Sequence, residues 1–266
     1  MDEHGHLVRR LAREKKARLE AEEIVEKATR ELFLKNKQIE ASRNRLSLFL
    51  PTQLEQLLDL SEKGGFMTRR QFMTIVFIDI AGFTAFTDGL EPEEMVGVTN
   101  EFFNEVVECA QRNNGFLDKF MGDGALLFFG AVASAGPESD ARGALRFASE
   151  LLLVFDLLVA RWRRFGVFSE MGIRIGINSG YCTFGNFGSE RRYQYTGMGP
   201  AVNLASRLEK IARPGSAVCS LAVRALGGAF FDFQSLGPCK FKGVPRPIEV
   251  FQLLHVPGLE DTIYQI

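Results

Sequence analysis

A single apolar stretch, FMTIVFIDIAGFT from Phe72 to Thr84, constrains the fold of this chain more than any other feature. Seven of the nine residues from Phe72 to Ile80 are apolar, with Val and Ile prominent among them. Such a run predicts a strand that is buried on both faces, because a half-exposed strand would alternate apolar and polar residues. Near its end lies Asp79, whose carboxylate is costly to bury unless another group pairs with it.

The turn after this strand offers a reason for the carboxylate. Gly82 lets the backbone turn tightly, so that the amide groups of the following residues point outward. A carboxylate beside free backbone amides suits a metal ion that carries a phosphate. The alternative is that Asp79 only caps the helix that follows.

Residues 1 to about 60 differ in composition from the rest, since they contain no Gly after Gly5 and no Pro before Pro51. A heptad repeat fits this segment, and its first row consists of Leu11, Arg18, Val25, Leu32, Ile39 and Leu46. The second row is mostly small or polar: Leu7, Glu14, Ala21, Ala28, Lys35, Ser42 and Phe49. The pattern predicts a marginal, parallel two-stranded coiled coil in a dimer, with a single solvated helix as the alternative.

Breaker residues divide the chain into parts. Pro51 is predicted to end the N-terminal helix, and Gly64-Gly65 to form a hinge. We therefore expect a helix and hinge over 1–65, a folded domain over 66–256 and a tail over 257–266.

Beyond residue 90 the chain alternates helical and strand patterns. A helix is predicted from Pro92, and a long one from about Asp140 to Arg164. The predicted strands are FLDKF and ALLFFGA around a hairpin turn, then MGIRIGINSG and YCTFGNFG with Gly180 at the corner. YQYTGMGPAVNLASRLEKIA is predicted to form a short strand, a Gly-rich turn and a helix. The alternation indicates an α/β or α+β domain with helices over a mixed sheet.

Composition bears on partners and compartment. The formal net charge of -1 gives no reason to expect nucleic acid or an anionic membrane as a partner. Four cysteines without CxxC spacing are typical of reduced core thiols in a cytosolic protein: Cys109, Cys182, Cys219 and Cys239. The charged N-terminus predicts no signal peptide, and the longest apolar run is too short to span a bilayer. We expect a cytoplasmic protein, or the cytosolic part of a larger or membrane-attached receptor.

Asp123 is a second candidate carboxylate, in the hairpin turn Met121-Gly122-Asp123-Gly124. Asp-Gly is a preferred hairpin pair and needs no metal. If the hairpin lies beside the Asp79 strand, however, the two carboxylates come together. Two carboxylates with substrate phosphates are the usual way in which proteins hold magnesium.

Four segments in series resemble the class III nucleotidyl cyclase catalytic domain, in particular bacterial adenylate cyclases, over about residues 70 to 254. They are FIDIAGFT (77–84), KFMGDG (119–124), RIGI (174–177) and VNLASR (202–207). The resemblance implies an α+β, ferredoxin-like fold, with helices packed on a mixed or antiparallel sheet after a long coiled-coil helix. The N-terminal helix is similar to the coiled-coil signalling linker that often precedes such domains.

The resemblance also implies roles for individual residues. Asp79, Asp123 and the Ile80 carbonyl would hold two Mg²⁺ (or Mn²⁺) ions per site. The triphosphate would be bound by the backbone of Ala81, Gly82, Phe83 and Thr84 and by Arg174 and Lys242. Asn203 and Arg207 would position the ribose and stabilise the transition state. The chain departs from the common Gly-Asp-x-Val-Asn pattern of the family at Gly199-Pro200-Ala201.

Base choice in this family depends on the positions of Lys119 and Thr196, where members that use GTP generally carry Glu and Cys. Lys can donate to adenine N1, whereas guanine N1 is itself a donor. The Thr hydroxyl can accept from the adenine amino group, so both residues favour ATP. The alternatives are a guanylate cyclase and a catalytically silent cyclase-like regulatory module. A diguanylate cyclase is disfavoured, because the turn lacks the longer acidic loop expected there.

Family sites combine residues from two subunits. This chain carries both sets, so the resemblance implies a homodimer with two equivalent sites, formed through the catalytic domain and the coiled coil. An upstream sensor domain or protein acting through the helix is the corresponding expectation for regulation.

Overall fold

The computed structural model describes residues 3–47, 68–87, 89–164, 171–189 and 192–254. The chain divides into two compact units, Met1–Glu55 and Gln56–Ile266. The predicted breakers Pro51 and Gly64-Gly65, and the predicted tail 257–266, lie outside the described residues.

The described part of the first unit is one helix, α1 (Glu3–Ser47). Three apolar residues of the first heptad row, Val25, Leu32 and Ile39, are 61–64% exposed in the single chain. Their apolar surface is therefore open to a second helix, and the coiled coil stays a prediction.

The second unit is built on one mixed sheet, as predicted. Its described strands are β1 (Arg69–Ala81), β2 (Gly115–Met121), β3 (Gly124–Phe129), β4 (Gly172–Ser189), β5 (Arg192–Met198), β6 (Ser216–Ser220), β7 (Phe233–Cys239) and β8 (Ile248–Leu253). The strand order is β2-β3-β1-β4-β6-β8-β7, and β5 pairs with β4 outside this path. The β4–β6 pair is parallel, and the other described pairs are antiparallel.

Helices follow the strands at the predicted places. They are α2 (Phe83–Thr87), α3 (Pro92–Arg112), α4 (Pro137–Arg164), α5 (Pro200–Ile211) and α6 (Leu221–Gly227), with a 3₁₀ turn at Gly228–Phe230. Helix α3 starts at Pro92, as expected, with a capping box between Glu91 and Glu94. Helix α4 starts at Pro137, three residues before the predicted Asp140.

The two faces of β1 have different neighbours. Val76, Ile78 and Ile80 are at most 3% exposed and lie in the main core with Phe102 of α3 and Phe155 of α4. Successive residues of a strand point to opposite faces, so Asp79 lies on the sheet face away from these two helices. The buried strand was predicted correctly, and its one carboxylate faces away from the main core.

Strand β4 is continuous over 18 residues, so the prediction of two strands with a corner at Gly180 was wrong. Gly180 pairs with Met73 within an unbroken antiparallel ladder between β4 and β1. A Cβ atom at Gly180 would lie only 2.9 Å from the Cβ atom of Ala201 in α5. Glycine at this position serves close packing of a helix rather than a turn.

Gly180 belongs to a row of three glycines, Gly172, Gly176 and Gly180, which we call the glycine track. Their four-residue spacing places them on one face of β4. A Cβ atom at Gly176 would lie 2.1 Å from the amide nitrogen of Glu209 and 2.4 Å from the carbonyl oxygen of Ala205. Helix α5 therefore rests directly on the backbone of β4, on the face that Asp79 shares.

The four cysteines are free thiols: Cys109, Cys182 and Cys219 are buried, and Cys239 is half-buried. No helix in the part of the chain that the structure describes is long and apolar enough to cross a membrane.

Candidate active site

Asp79 and Arg174 face each other across the β1–β4 pair, where they are register partners. The Nη2 group of Arg174 donates to Oδ2 of Asp79. This hydrogen bond is the main reason that the pKa of Arg174 is raised. The strand arginine is therefore no isolated edge charge, and Asp79 has the partner that a carboxylate on a buried strand requires.

Glu209 of α5 is the second carboxylate on Arg174, and it was not predicted from the sequence. Its Oε1 atom lies 3.3 Å from Nε of Arg174, and its side chain is 8% exposed. Burial raises the pKa of Glu209, the negative charge of Asp79 adds to the effect, and Arg174 opposes it. Arg174 thus joins the end of β1 to the helix that lies on the glycine track.

The β2–β3 hairpin places Asp123 near Asp79, as predicted. Gly122 has a φ of 65° and supplies the left-handed residue of the turn. A Cβ atom at Gly124 would lie 2.3 Å from the carbonyl oxygen of Ile78, so the hairpin sits tightly against the end of β1. Burial raises the pKa of Asp123, and the charge of Asp79 raises it further.

The chain after Asp79 makes the predicted tight turn. Ile80 is buried in the main core, so its predicted metal contact concerns the carbonyl oxygen alone. Gly82 has a φ of 85°, and its carbonyl oxygen accepts a hydrogen bond from the amide of Phe86 as α2 begins. The segment Ala81-Gly82-Phe83-Thr84 thus leads into the first turn of a short helix.

The donors present at this end of β1 fit a hard divalent cation. Asp79 and Asp123 offer carboxylate oxygens, which Mg²⁺ and Mn²⁺ prefer. Within the described ranges, no group of three or more His, Cys, Asp or Glu is arranged to hold a metal ion. Two carboxylates match a site in which substrate phosphates complete the coordination.

A second group of polar residues connects β2 with β5. The hydroxyl of Thr196 donates to Oδ2 of Asp118 at 2.7 Å, and Nζ of Lys119 lies 3.2 Å from the same oxygen. Thr196 is buried and the side chain of Asp118 is completely buried, whereas Lys119 is 28% exposed. The two predicted base-recognition residues therefore meet at one carboxylate, which sequence reasoning missed.

The third group lies on α5 and the turn before β8. Asn203 is exposed and Arg207 is half-buried, and four residues on a helix place them on one face. A Cβ atom at Gly243, next to exposed Lys242, would lie 3.6 Å from Nη2 of Arg207. The predicted phosphate lysine therefore belongs to the neighbourhood of the Asn203–Arg207 pair.

Within one chain, this third group faces away from the carboxylates. Arg207 and Glu209 are two positions apart, which is about 200° around a helix. Since Glu209 points to Arg174, Arg207 and Asn203 point to another side of α5. One chain thus carries two sets of polar residues that it does not bring together.

Most of the chain matches a known protein family. Residues 67–255 match the family described as "Adenylate and Guanylate cyclase catalytic domain". The chain is similar to Adenylate cyclase 1 of Rhizobium meliloti, with 31% identity over 221 residues, 81% of this chain and 32% of that protein. It therefore spans about a third of the length of that curated relative.

Two solved structures are similar to this chain over 72% of its length. One is the adenylyl cyclase CyaB from P. aeruginosa, with 35% identity and a TM-score of 0.71 over 72% of this chain and 98% of that chain. The other is the guanylyl cyclase Cya2, with 31% identity and a TM-score of 0.66 over 72% of this chain and 96% of that chain.

Proposed function

The chain belongs to the adenylate and guanylate cyclase catalytic domain family, and we propose that it is an adenylate cyclase. It converts ATP to 3′,5′-cyclic AMP and pyrophosphate, in the cytoplasm. The observation that carries the choice of ATP is the meeting of Lys119 and Thr196 at one buried carboxylate. A lysine donor and a threonine acceptor match the N1 atom and the 6-amino group of adenine.

Asp79, Asp123 and the Ile80 carbonyl would hold two magnesium or manganese ions. When bound, the ions lower the pKa of the ribose 3′-hydroxyl and neutralise charge that develops on the phosphates. The positively charged side chain of Arg174 lies next to Asp79, where it can contact a triphosphate.

The remaining residues bind and orient ATP for an in-line displacement. The backbone from Ala81 to Thr84 holds the phosphates, and Lys242 adds a cation on the other side. Asn203 orients the ribose, and Arg207 donates hydrogen bonds to the α-phosphate as charge builds on it. The bond from the 3′-oxygen to the α-phosphorus forms, the bond from the α-phosphorus to pyrophosphate breaks, and the hydroxyl proton is released to solvent.

Two copies of the chain complete each site. Because Arg207 and Glu209 lie on different faces of α5, one chain cannot present Arg207 to its own carboxylates. In a symmetric homodimer, each carboxylate set meets the Asn203–Arg207 set of the partner, and two equivalent sites result. Helix α1 would extend the dimer as a coiled coil and connect it to an upstream sensor.

A purified chain tests this proposal directly. Cyclic nucleotide formation is measured with ATP or GTP, with magnesium or manganese, over a range of protein concentrations. We expect cyclic AMP, with a specific activity that rises as the chain dimerises. A folded dimer that forms no product under any of these conditions would favour the silent regulatory module or an enzyme that needs an activator absent from the assay.

Mixing two inactive variants tests the shared site. Asp123→Ala and Arg207→Ala should each lose activity, because each removes one set from both sites. A one-to-one mixture should regain about a quarter of wild-type activity, since half of the dimers are mixed and each of these has one intact site. No recovery after verified subunit exchange would contradict the shared arrangement.

A guanylate cyclase is the second candidate, because the guanylyl cyclase Cya2 is 31% identical. Preferential formation of cyclic GTP would establish it and would show that the Lys119–Thr196 pocket was misinterpreted.

A further inference from the structure

Asp118 occupies an irregular position in β2, where the pairing with β3 shifts register between Leu117 and Lys119. In a regular strand, neighbouring side chains point to opposite faces. An extra residue at a bulge lets two successive side chains approach each other. The carboxylate of Asp118 and the ammonium of Lys119, which follow one another in sequence, are thereby 3.2 Å apart.

The neighbours of β2 define the face on which this pair lies. Phe116 packs edge-to-face with Phe184 of β4, on the face away from α3. Phe120 stacks on Phe103 of α3 with ring centroids 4.0 Å apart, on the opposite face. The bulge between them turns Asp118 toward Thr196 of β5, whose hydroxyl donates to it.

Local folding alone does not account for this carboxylate. Its Oδ1 atom is buried and has no hydrogen-bond partner among the residues that the structure describes. Buried polar atoms are normally satisfied, and one that is not calls for an explanation beyond packing. Burial raises the pKa of Asp118, while the hydrogen bond from Thr196 and the charge of Lys119 lower it. Both neighbours therefore favour the ionised form.

An ionised carboxylate can only accept hydrogen bonds, and this limits what Thr196 can do. A threonine hydroxyl has one hydrogen, and here that hydrogen is directed to Asp118. The oxygen of Thr196 is then left with lone pairs alone, so it can only accept from a ligand. Lys119, held by the same carboxylate, can only donate.

We propose that Asp118 is a specificity-determining residue, which acts through Lys119 and Thr196 by fixing the hydrogen-bond polarity of the purine pocket. The inference rests on the proposed function and extends it to the choice between ATP and GTP. Adenine presents an amino donor at position 6, which matches the acceptor Thr196, and an acceptor at N1, which matches the donor Lys119. Guanine presents the reverse pattern at both atoms and leaves both protein groups unmatched.

Asp118→Asn is the central test, because asparagine has the same size but its amide can donate to Thr196. The threonine hydrogen then becomes free to donate to the 6-oxygen of guanine. We expect the ratio of kcat/KM for ATP to kcat/KM for GTP to fall by at least about tenfold, which corresponds to one hydrogen-bond mismatch. If kcat/KM fell equally for ATP and GTP, the ratio would stay unchanged; this would overturn the inference and leave the cyclase proposal intact.

Asp140→Asn is the matched control. Asp140 is also a buried aspartate that accepts a hydrogen bond from a hydroxyl, that of Ser134 at 2.6 Å. It lies at the start of α4, away from the purine pocket, so the nucleotide ratio should stay at the wild-type value. A ratio that changes as much in this variant as in Asp118→Asn would overturn the inference.

A second variant tests whether Asp118 acts through Thr196. Thr196→Val removes the hydroxyl at nearly constant volume and should by itself lower the ratio. Asp118→Asn added to Thr196→Val should lower the ratio little further, because the hydroxyl whose direction Asp118 sets is gone and Lys119 can only donate with either residue at position 118. Independent, multiplying effects would contradict the mechanism.

Binding of 3′-deoxy-ATP and 3′-deoxy-GTP gives a readout that does not need turnover, since neither can cyclise. The Asp118→Asn chain should lose most of the wild-type preference for the adenine analogue. If the wild type forms no cyclic nucleotide, the proposed function fails, yet the binding ratio still decides the role of Asp118. An unchanged binding ratio would overturn that role.

Discussion

Gly176→Ala should destabilise the catalytic unit, because the glycine track leaves no room for a methyl group. The added Cβ atom would lie 2.1 Å from the amide nitrogen of Glu209, 2.4 Å from the carbonyl oxygen of Ala205 and 2.7 Å from the Cα atom of Glu209. All three are backbone atoms, so no side chain can rotate away, and α5 has to move off the sheet.

The size of the effect follows from the contacts. Overpacking of a well-packed site costs typically about 1–3 kcal/mol, and a collision with helix backbone belongs at the upper end. A loss of about 3 kcal/mol lowers Tm by roughly 6–12 °C in a unit of this size. Activity should fall as well, since α5 carries Asn203 and Arg207.

Gly97→Ala is the matched control for this experiment. Gly97 lies within α3, and among the described residues a Cβ atom there would meet no heavy atom within 4 Å apart from its own helix backbone and chain neighbours. The same substitution should therefore stabilise the chain by about 0.5–1 kcal/mol, through helix propensity. Both variants are unfolded by heat and by urea beside the wild type. A Gly176→Ala chain with wild-type Tm and activity would refute the packing argument.

Three further predictions concern buried ionisable groups. Glu209→Gln removes a negative charge beside Arg174 and should raise KM for ATP in steady-state kinetics. Combined with Arg174→Lys, its effect on KM should be non-additive, because both substitutions disturb the same ion pair. Additive effects would contradict this. Burial raises the pKa of Glu209, so the folded chain binds that proton more tightly than the unfolded chain does. Stability should therefore decline as pH rises from the ordinary glutamate pKa through the raised one, and urea unfolding should show less decline in Glu209→Gln. Burial also raises the pKa of Cys109 and Cys219 to about 12, so timed iodoacetamide labelling read by mass spectrometry should modify half-buried Cys239 first; equal rates would contradict this.

Local pattern was sufficient for the central strand and for the approach of Asp123 to Asp79. An apolar run predicts a buried strand, and the carboxylate near its end indicates a site there. A Gly-rich turn between two apolar runs predicts a hairpin. The structure agrees at both places: β1 is a continuous strand, and β3 of the hairpin pairs with it.

Glycine was the source of the error in β4. A glycine can permit a turn, or it can permit the close approach of another backbone. Gly180 permits the close approach of α5 rather than a turn, and only the position of α5 in the folded structure distinguishes these two uses. The alternation in GIRIGINSG is visible in the sequence, but the helix that covers its glycine face is not.

Asp118 and Glu209 were missed for a related reason. Nothing in LDKF marks a bulge, so Asp118 looks like a side chain that points away from Lys119. Glu209 follows a buried leucine in an amphipathic helix and looks like a solvated charge. Both acquire their partners, Thr196 and Arg174, from distant parts of the chain.

The glycine track also has a mechanical consequence. At Gly176 the backbone of α5 lies directly against β4, so no side chain at that position can deform between them. Helix and strand should therefore move as one stiff piece, and neither can slide against the other without steric collision. If the site is shared as proposed, the contact between the two subunits is an adjustable joint between Arg207 and the carboxylates. A signal would then change the rate by turning one stiff body against another, rather than by reshaping either.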